Sequence, residues 1–139
     1  MATTPFENSL HLVSIPGSAI RAAIEHGVSN NESLAVVQVS GIKVVIDLSR
    51  NANDRIVDIK VLCQKCNMPK YEPLNDTKIY RVVLADYVAK GGAEFPMFPD
   101  SILPDSTIIG PRDVDALSDY IQSISPVHLP PLMGRISFI

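Results

Sequence analysis

Short β-branched apolar runs, each closed by a polar or glycine-containing turn, recur along this chain and set most of what it can fold into. Ile42 to Leu48, Arg55 to Leu62 and Thr77 to Leu84 are strand-length stretches of this kind. Val and Ile are stiff at χ1 and pack well on a pleated surface, so such runs predict strands rather than helices. Ile56, Val57, Ile59 and Val61 form the body of the second, and Asn51 to Asp54 is the polar turn before it. Val36 to Val39 precedes the first run, and the Ser40-Gly41 break between them predicts a hairpin or a bulge. A shorter opening strand, SLHLVSI, carries Leu10, Leu12 and Val13, and a closing one runs from Arg135 to Phe138.

Two segments carry the helical period instead. Pro16 suits a helix start with Ser18 as a cap, and Ile20, Ala23, Ile24 and Gly27-Val28 recur on one face before Asn30-Asn31 ends the element. Pro111 reads as the first helical position of a second helix. Asp113 and Asp115 lie in its first turn, where the helix dipole favours carboxylates, and Val114, Leu117, Tyr120 and Ile121 form the face expected to be buried. Pro96, Pro99 and Pro104 predict an irregular loop, and Pro126, Pro130 and Pro131 a linker. A few helices among mostly antiparallel strands make the class α+β (mixed α/β).

A chain of 139 residues with 46% hydrophobic content and a mean hydropathy of +0.17 is expected to form a single packed domain, residues 1–139. A net charge of −3 gives no electrostatic ground for binding nucleic acid or an anionic membrane. No apolar run is long enough for a membrane span, and no signal-peptide pattern follows Met1. The opening MATTPFENSL reads as an initiator methionine placed before a piece of a domain.

The run from Ile79 to Phe95, IYRVVLADYVAKGGAEF, carries the clearest chemical suggestion. A strand feeds a short turn bearing Tyr87, and Gly91, Gly92 and Phe95 follow. Adjacent glycines let backbone approach a partner closely, and an exposed aromatic offers a flat apolar face. Together they suit a planar ring such as a nucleobase, since each stacked base contributes about 1–3 kcal/mol. The same pattern also describes a tight turn over a core. Cys63 and Cys66 are the only cysteines. They fit free thiols or a redox pair. A metal site is not expected, because no second Cys or His pair stands near them. His11, His26 and His128 are dispersed, His11 on a strand alternating toward solvent. Asp54/Asp58 and Asp113/Asp115 read as surface and cap charges. No residue is assigned as catalytic acid, base, nucleophile or metal ligand.

Several motifs occur in order: QVSGIKVVIDLSR (Gln38–Arg50), VLCQKC (Val61–Cys66), Tyr71-Glu72-Pro73-Leu74, ADYVAKGG (Ala85–Gly92), GPRDVDALSDYI (Gly110–Ile121) and GRISFI (Gly134–Ile139). As a set, from about Pro5 to the end, they resemble the C-terminal substrate-recognition domain of the 5'-nucleotidase family, in particular its ecto-5'-nucleotidase and insect salivary apyrase branch. The resemblance implies that domain's fold, a mixed sheet with two main helices, N-terminally shortened by a strand and a helix. It implies a base sandwiched between Phe6 and Tyr87, beside a substrate loop of Gly91, Gly92, Ala93 and Phe95. The family commonly reads Asn-Gly-Gly-Asp-Gly-Phe here, its Asp accepting the ribose hydroxyls. This chain reads Lys90-Gly91-Gly92-Ala93-Glu94-Phe95, so that carboxylate is absent. The resemblance favours a Cys63–Cys66 disulfide and hence an oxidising, secreted, extracellular setting. The divalent metals of the family belong to a separate N-terminal metallophosphoesterase domain not found here. No cofactor is therefore expected in this chain, which is expected to be inactive alone. The expected ligand is a weakly held purine nucleoside or nucleotide. The alternative is a stand-alone salivary-type binding protein acting on a host protein or small ligand, and homodimerisation through an uncovered sheet edge is a further expectation.

Overall fold

The computed structural model describes residues 6–29, 37–128 and 133–139. In chain order the elements are β1 (Ser9–Pro16), α1 (Gly17–Ser29), β2 (Ile42–Ile46), β3 (Ile56–Leu62), β4 (Tyr71–Pro73), β5 (Ile79–Ala85), α2 (Asp86–Ala89), α3 (Met97–Ser101), β6 (Ile108–Arg112), α4 (Asp113–Ile124) and β7 (Ile136–Phe138). Among the described residues they form a three-stranded sheet, β5-β1-β6, and a four-stranded sheet, β4-β3-β2-β7. The fold is α+β, and α1 and α4 are its two main helices. The residues cluster into two compact units. One holds the described residues up to 15 and from 79 to 128, and the other those from 16 to 78 and from 133 onward.

The second unit follows directly from the periodicities of its sequence. β2 and β3 pair antiparallel with Val44 opposite Ile59 and Ile46 opposite Ile56, while β7 runs parallel to β2 with Val44 beside Ile136. Ile56 and Ile59 are both buried although three apart, which strict alternation forbids. The register shift between Val45 and Ile46 supplies the extra step. Ile20, Ala23, Ile24, Gly27 and Val28 are all buried, and α1 lies against β3. Each fully buried Val or Ile contributes about 1.5–3 kcal/mol, so this face outweighs helix propensity in holding α1 in place.

Ser18 does not cap α1; the helix already begins at Gly17. Its first amides are satisfied by a neighbouring turn, with Gly17 N–H donating to the Lys78 carbonyl at 3.0 Å and Ser18 N–H to that of Asp76 at 2.9 Å. Near the other end, Glu25 ties the helix to the sheet. Its carboxylate accepts the backbone N–H of Arg55 at 2.8 Å and of Ile56 at 2.9 Å, and the Ser29 hydroxyl at 2.8 Å. The expected end at Asn30-Asn31 lies outside the described residues, as do Val36, Pro130 and Pro131.

In the first unit β1 is the central strand. Val13 and Ile15 are fully buried, with Ala89, Phe95 and Phe98 completing the core of that unit. Four expectations are corrected. Residues 37–39 take no strand conformation, so Ser40-Gly41 is a bend ahead of β2 rather than a hairpin turn. The proline-rich stretch contains α3, because Pro99 falls within the first turn, where its missing N–H costs no helical bond. Pro111 lies in β6, and α4 starts only at Asp113. The apolar stripe of α4 is amphipathic as read but is not buried, since its main neighbour is β6, itself exposed along its whole length. Leu117, Tyr120, Ile121 and Ile124 therefore face solvent. No helix among the described residues is long and apolar enough to cross a membrane.

Candidate functional site

Phe6, Tyr87 and the glycine turn all belong to the unit built on the three-stranded sheet. Ser9, at the head of β1, pairs with Arg112 at the end of β6, and Asp113 N–H donates to the Asn8 carbonyl at 2.8 Å. His11, early in β1, is near enough to Asp86, the first residue of α2, to act on its charge. The segment entering β1 and the start of α4 therefore share one rim of the sheet.

Tyr87 is positioned by the way α2 ends. The helix is a single turn, and a Schellman closure stops it. Gly92 N–H donates to the Tyr87 carbonyl and Gly91 N–H to that of Val88, both at 2.9 Å, with Gly91 at φ +88°. The Tyr87 ring then packs directly on Gly92. A Cβ there would lie 2.5 Å from Cε2 and Cζ of the ring and 2.6 Å from the Tyr87 carbonyl oxygen. Only glycine allows that approach. Tyr87 as a residue remains 58% exposed. Across the same turn Lys90 Nζ lies 2.8 Å from Asp86 Oδ2. The hydrogen bond from Lys90 holds the Asp86 carboxyl below the usual range, with a weaker contribution from His11.

Beyond the glycines the chain turns sharply. Ala93 (φ +53°) and Glu94 (φ +62°) both sit in the left-handed region, which costs a non-glycine residue about 1–2 kcal/mol. Phe95 N–H donating to the Gly92 carbonyl at 3.2 Å closes the turn. Phe95 itself is buried, its ring 6.0 Å from that of Phe98, so it anchors the loop from below instead of offering a face to a ligand. Ala93 presents only a methyl group, so its side chain accepts no hydrogen bond.

Phe6 is 81% exposed and precedes Glu7, which is held by a charged clamp. Arg112 donates to Glu7 at 3.0 Å and to both Asp115 oxygens, at 2.8 and 3.1 Å. That bidentate pairing lowers the Asp115 carboxyl and raises the Arg112 guanidinium, with Glu7 adding to the latter. Sequence reasoning missed the Glu7 arm of this clamp because Glu7 and Arg112 are 105 residues apart in the chain; the Arg112–Asp115 arm spans only three. The Asp86–Lys90 pair was also not read from the sequence, although its i,i+4 spacing is the signal that could have found it.

The remaining candidates lie elsewhere. Cys63 and Cys66 form a disulfide just after β3, in the unit that does not hold the rim. Asp54 pairs with Arg50 and Asp58 with Lys60, as surface charges do. His11 is half-buried, not turned to solvent. Among the described residues the one group with metal-ligand spacing is Cys63, Cys66 and Glu72. Two sulfurs joined to each other and one carboxylate do not fit a two-metal hydrolytic centre, which needs nitrogen and oxygen donors around both ions.

Comparison with known proteins agrees with this architecture. The family model described as "5'-nucleotidase, C-terminal domain" matches residues 1–100. Over 139 residues the chain is 40% identical to a 5'-nucleotidase of Rattus norvegicus, covering 99% of this chain and 24% of that protein. It is 36% identical over 140 residues to an apyrase of Tabanus yao, covering 97% of this chain and 25% of that one. The crystal structure of a 5'-nucleotidase precursor from Thermus thermophilus superposes with a TM-score of 0.85 at 33% identity, over 97% of this chain and 26% of that one. The chain thus spans about a quarter of the length of these relatives. It belongs to the 5'-nucleotidase C-terminal domain family.

Proposed function

We propose that this chain is a nucleotide-recognition module of a 5'-nucleotidase- or apyrase-type hydrolase, part of a single recognition domain that grips the base while other parts of such an enzyme perform the chemistry. The observation that carries this reading is the Tyr87 ring, held against Gly92 and half open to solvent, in the unit that also holds the exposed Phe6. Two aromatic faces cover a purine without demanding one base edge, so base preference is broad. The contribution to rate is positional: a base held in place presents its phosphate to a metal centre in the right orientation. Ala93 weakens the grip. A carboxylate accepting the ribose hydroxyls would add about 1.5–3 kcal/mol, and its loss leaves adenosine bound at micromolar strength or weaker. The disulfide fits an extracellular setting.

The test is a titration of the chain with adenosine and AMP, followed by Tyr fluorescence and by amide shifts of residues 86–95. Saturable shifts confined to these residues, with no phosphate released from AMP under any divalent metal, support the reading. Metal-dependent turnover by this chain alone overturns it. A second reading is a stand-alone secreted binding protein that has lost nucleotide recognition, and Ala93 at the sugar position favours it. Flat titrations with adenosine, AMP and ATP, together with capture of a host protein, are its signature.

A further inference from the structure

The turn between β4 and β5 reads Asn75-Asp76-Thr77, and nothing in nucleotide recognition uses it. Asn-x-Thr with x other than Pro is the acceptor triplet for N-linked sugars. Residues 75 to 78 are all exposed. We propose that Asn75 is an N-glycosylation site, carrying an oligosaccharide on its side-chain amide. The proposal rests on the extracellular setting inferred above and is independent of nucleotide binding.

The triplet alone is a common pattern, and the geometry adds to it. The Thr77 hydroxyl donates to Asn75 Oδ1 at 2.9 Å, so the two side chains that the triplet requires already meet. The same oxygen accepts the backbone N–H of Thr77 at 3.0 Å and of Lys78 at 3.3 Å, which makes the segment an Asx turn. Backbone bonds hold the turn on both sides. Leu74, which is buried, donates its N–H to the Ile59 carbonyl at 2.9 Å. The carbonyls of Asp76 and Lys78 accept the first amides of α1. Asp76, the middle residue, is drawn toward Arg21 at 3.0 Å. The acceptor thus stands on a fixed support at the surface.

Attachment leaves that support intact. Transfer from an oligosaccharide carried on a lipid pyrophosphate forms a bond between Asn75 Nδ2 and the first sugar carbon. The bond from that carbon to the pyrophosphate oxygen breaks, the lipid pyrophosphate leaves, and one amide proton is released. The amide keeps its oxygen and one N–H, so Oδ1 still accepts all three bonds of the turn. Among the described residues β4 is an outer strand of its sheet, and Asn75 lies two residues past its end. A bulky polar chain there covers an edge otherwise open to pairing with another strand.

The test is secretion of the full chain from animal cells behind a cleavable signal peptide, with peptide mapping by mass spectrometry before and after peptide-N-glycosidase. The peptide holding Asn75 is expected to carry N-acetylhexosamine and hexose, and the enzyme to remove them with conversion of Asn75 to aspartate. The other such triplet of the sequence, Asn31-Glu32-Ser33, lies outside the described residues and falls on a different tryptic peptide. Thr77→Ala is expected to abolish the modification, and Thr77→Ser, which keeps the hydroxyl, to retain it. An unmodified Asn75 in the secreted wild type, or a sugar kept at Asn75 in Thr77→Ala, overturns the site and leaves the extracellular reading standing. Native protein found only in the cytosol by antibody overturns that reading instead, and the use of the site with it.

Discussion

Gly92→Ala probes the Tyr87 platform most directly. The added methyl carbon would sit 2.5 Å from two ring atoms of Tyr87 and 2.6 Å from its carbonyl oxygen, well inside ordinary van der Waals separation. Rotating the ring relieves the first contact. It does not relieve the second, because the carbonyl is fixed by the 2.9 Å bond from Gly92 N–H that ends α2. Relief there requires breaking that bond and moving the turn. Overpacking of this kind costs about 1–3 kcal/mol, and the lost hydrogen bond about 0.5–1.5 kcal/mol more. The expected destabilisation is about 2–4 kcal/mol. With a urea dependence of about 2 kcal/mol per molar, the unfolding midpoint falls by about 1–2 M. Urea unfolding of the wild type, Gly92→Ala, Tyr87→Ala and the double variant, followed by circular dichroism, separates the two contacts. Tyr87→Ala is expected to recover only part of the Gly92→Ala penalty, because the carbonyl contact survives it. A midpoint shift for Gly92→Ala under about 0.3 M, or full recovery in the double variant, refutes the reasoning.

Three other outcomes are expected. Glu25→Gln replaces one carboxylate oxygen with an NH2 group facing a backbone N–H, and is expected to destabilise the chain by about 2–3 kcal/mol in the same urea assay, a neutral result counting against the anchor. The Asp86 carboxyl is held below its ordinary value of 3.8, so the stability it contributes is complete above that value and is lost as pH falls through the lower folded value. In a carboxyl titration by nuclear magnetic resonance, Lys90→Met is expected to raise the Asp86 midpoint toward 3.8, and an unmoved midpoint excludes the pair as the cause. Ala93→Asp places a carboxylate where the proposed reading puts the sugar and is expected to tighten adenosine about 10- to 150-fold while leaving 2'-deoxyadenosine nearly unchanged; equal gains for both count against that placement.

How far the sequence could be read depended on whether the deciding interaction was local. The buried face of α1 and the β2–β3 strands were legible because 3.6- and 2-residue periods are written in consecutive residues. The Gly91-Gly92 turn was legible because its residues are adjacent, and the structure adds that the Tyr87 ring rests on Gly92 itself. The α4 stripe shows the limit. Its spacing correctly marks an amphipathic helix, but periodicity cannot say whether anything covers the apolar side. The start of that helix was misplaced because Pro111, a common first helical residue, is equally at home in an exposed strand. The Glu25 anchor, the Arg112 clamp on Glu7 and the approach of Glu72 to the cysteines join residues brought together only by the fold.

The parallel pairing of β7 with β2 has a consequence for how the second unit is completed. Val44 and Ile136 are neighbours in the sheet, and Ile139 N–H reaches the Ile46 carbonyl, yet the whole of β5 through α4 is synthesised between them. During translation, α1 and the β2–β4 meander can associate while one flank of β2 still shows its row of free amides and carbonyls. That flank is sealed only when the last strand emerges, so a ribosome paused anywhere in the intervening segment leaves a sticky intermediate with an apolar, hydrogen-bond-hungry border.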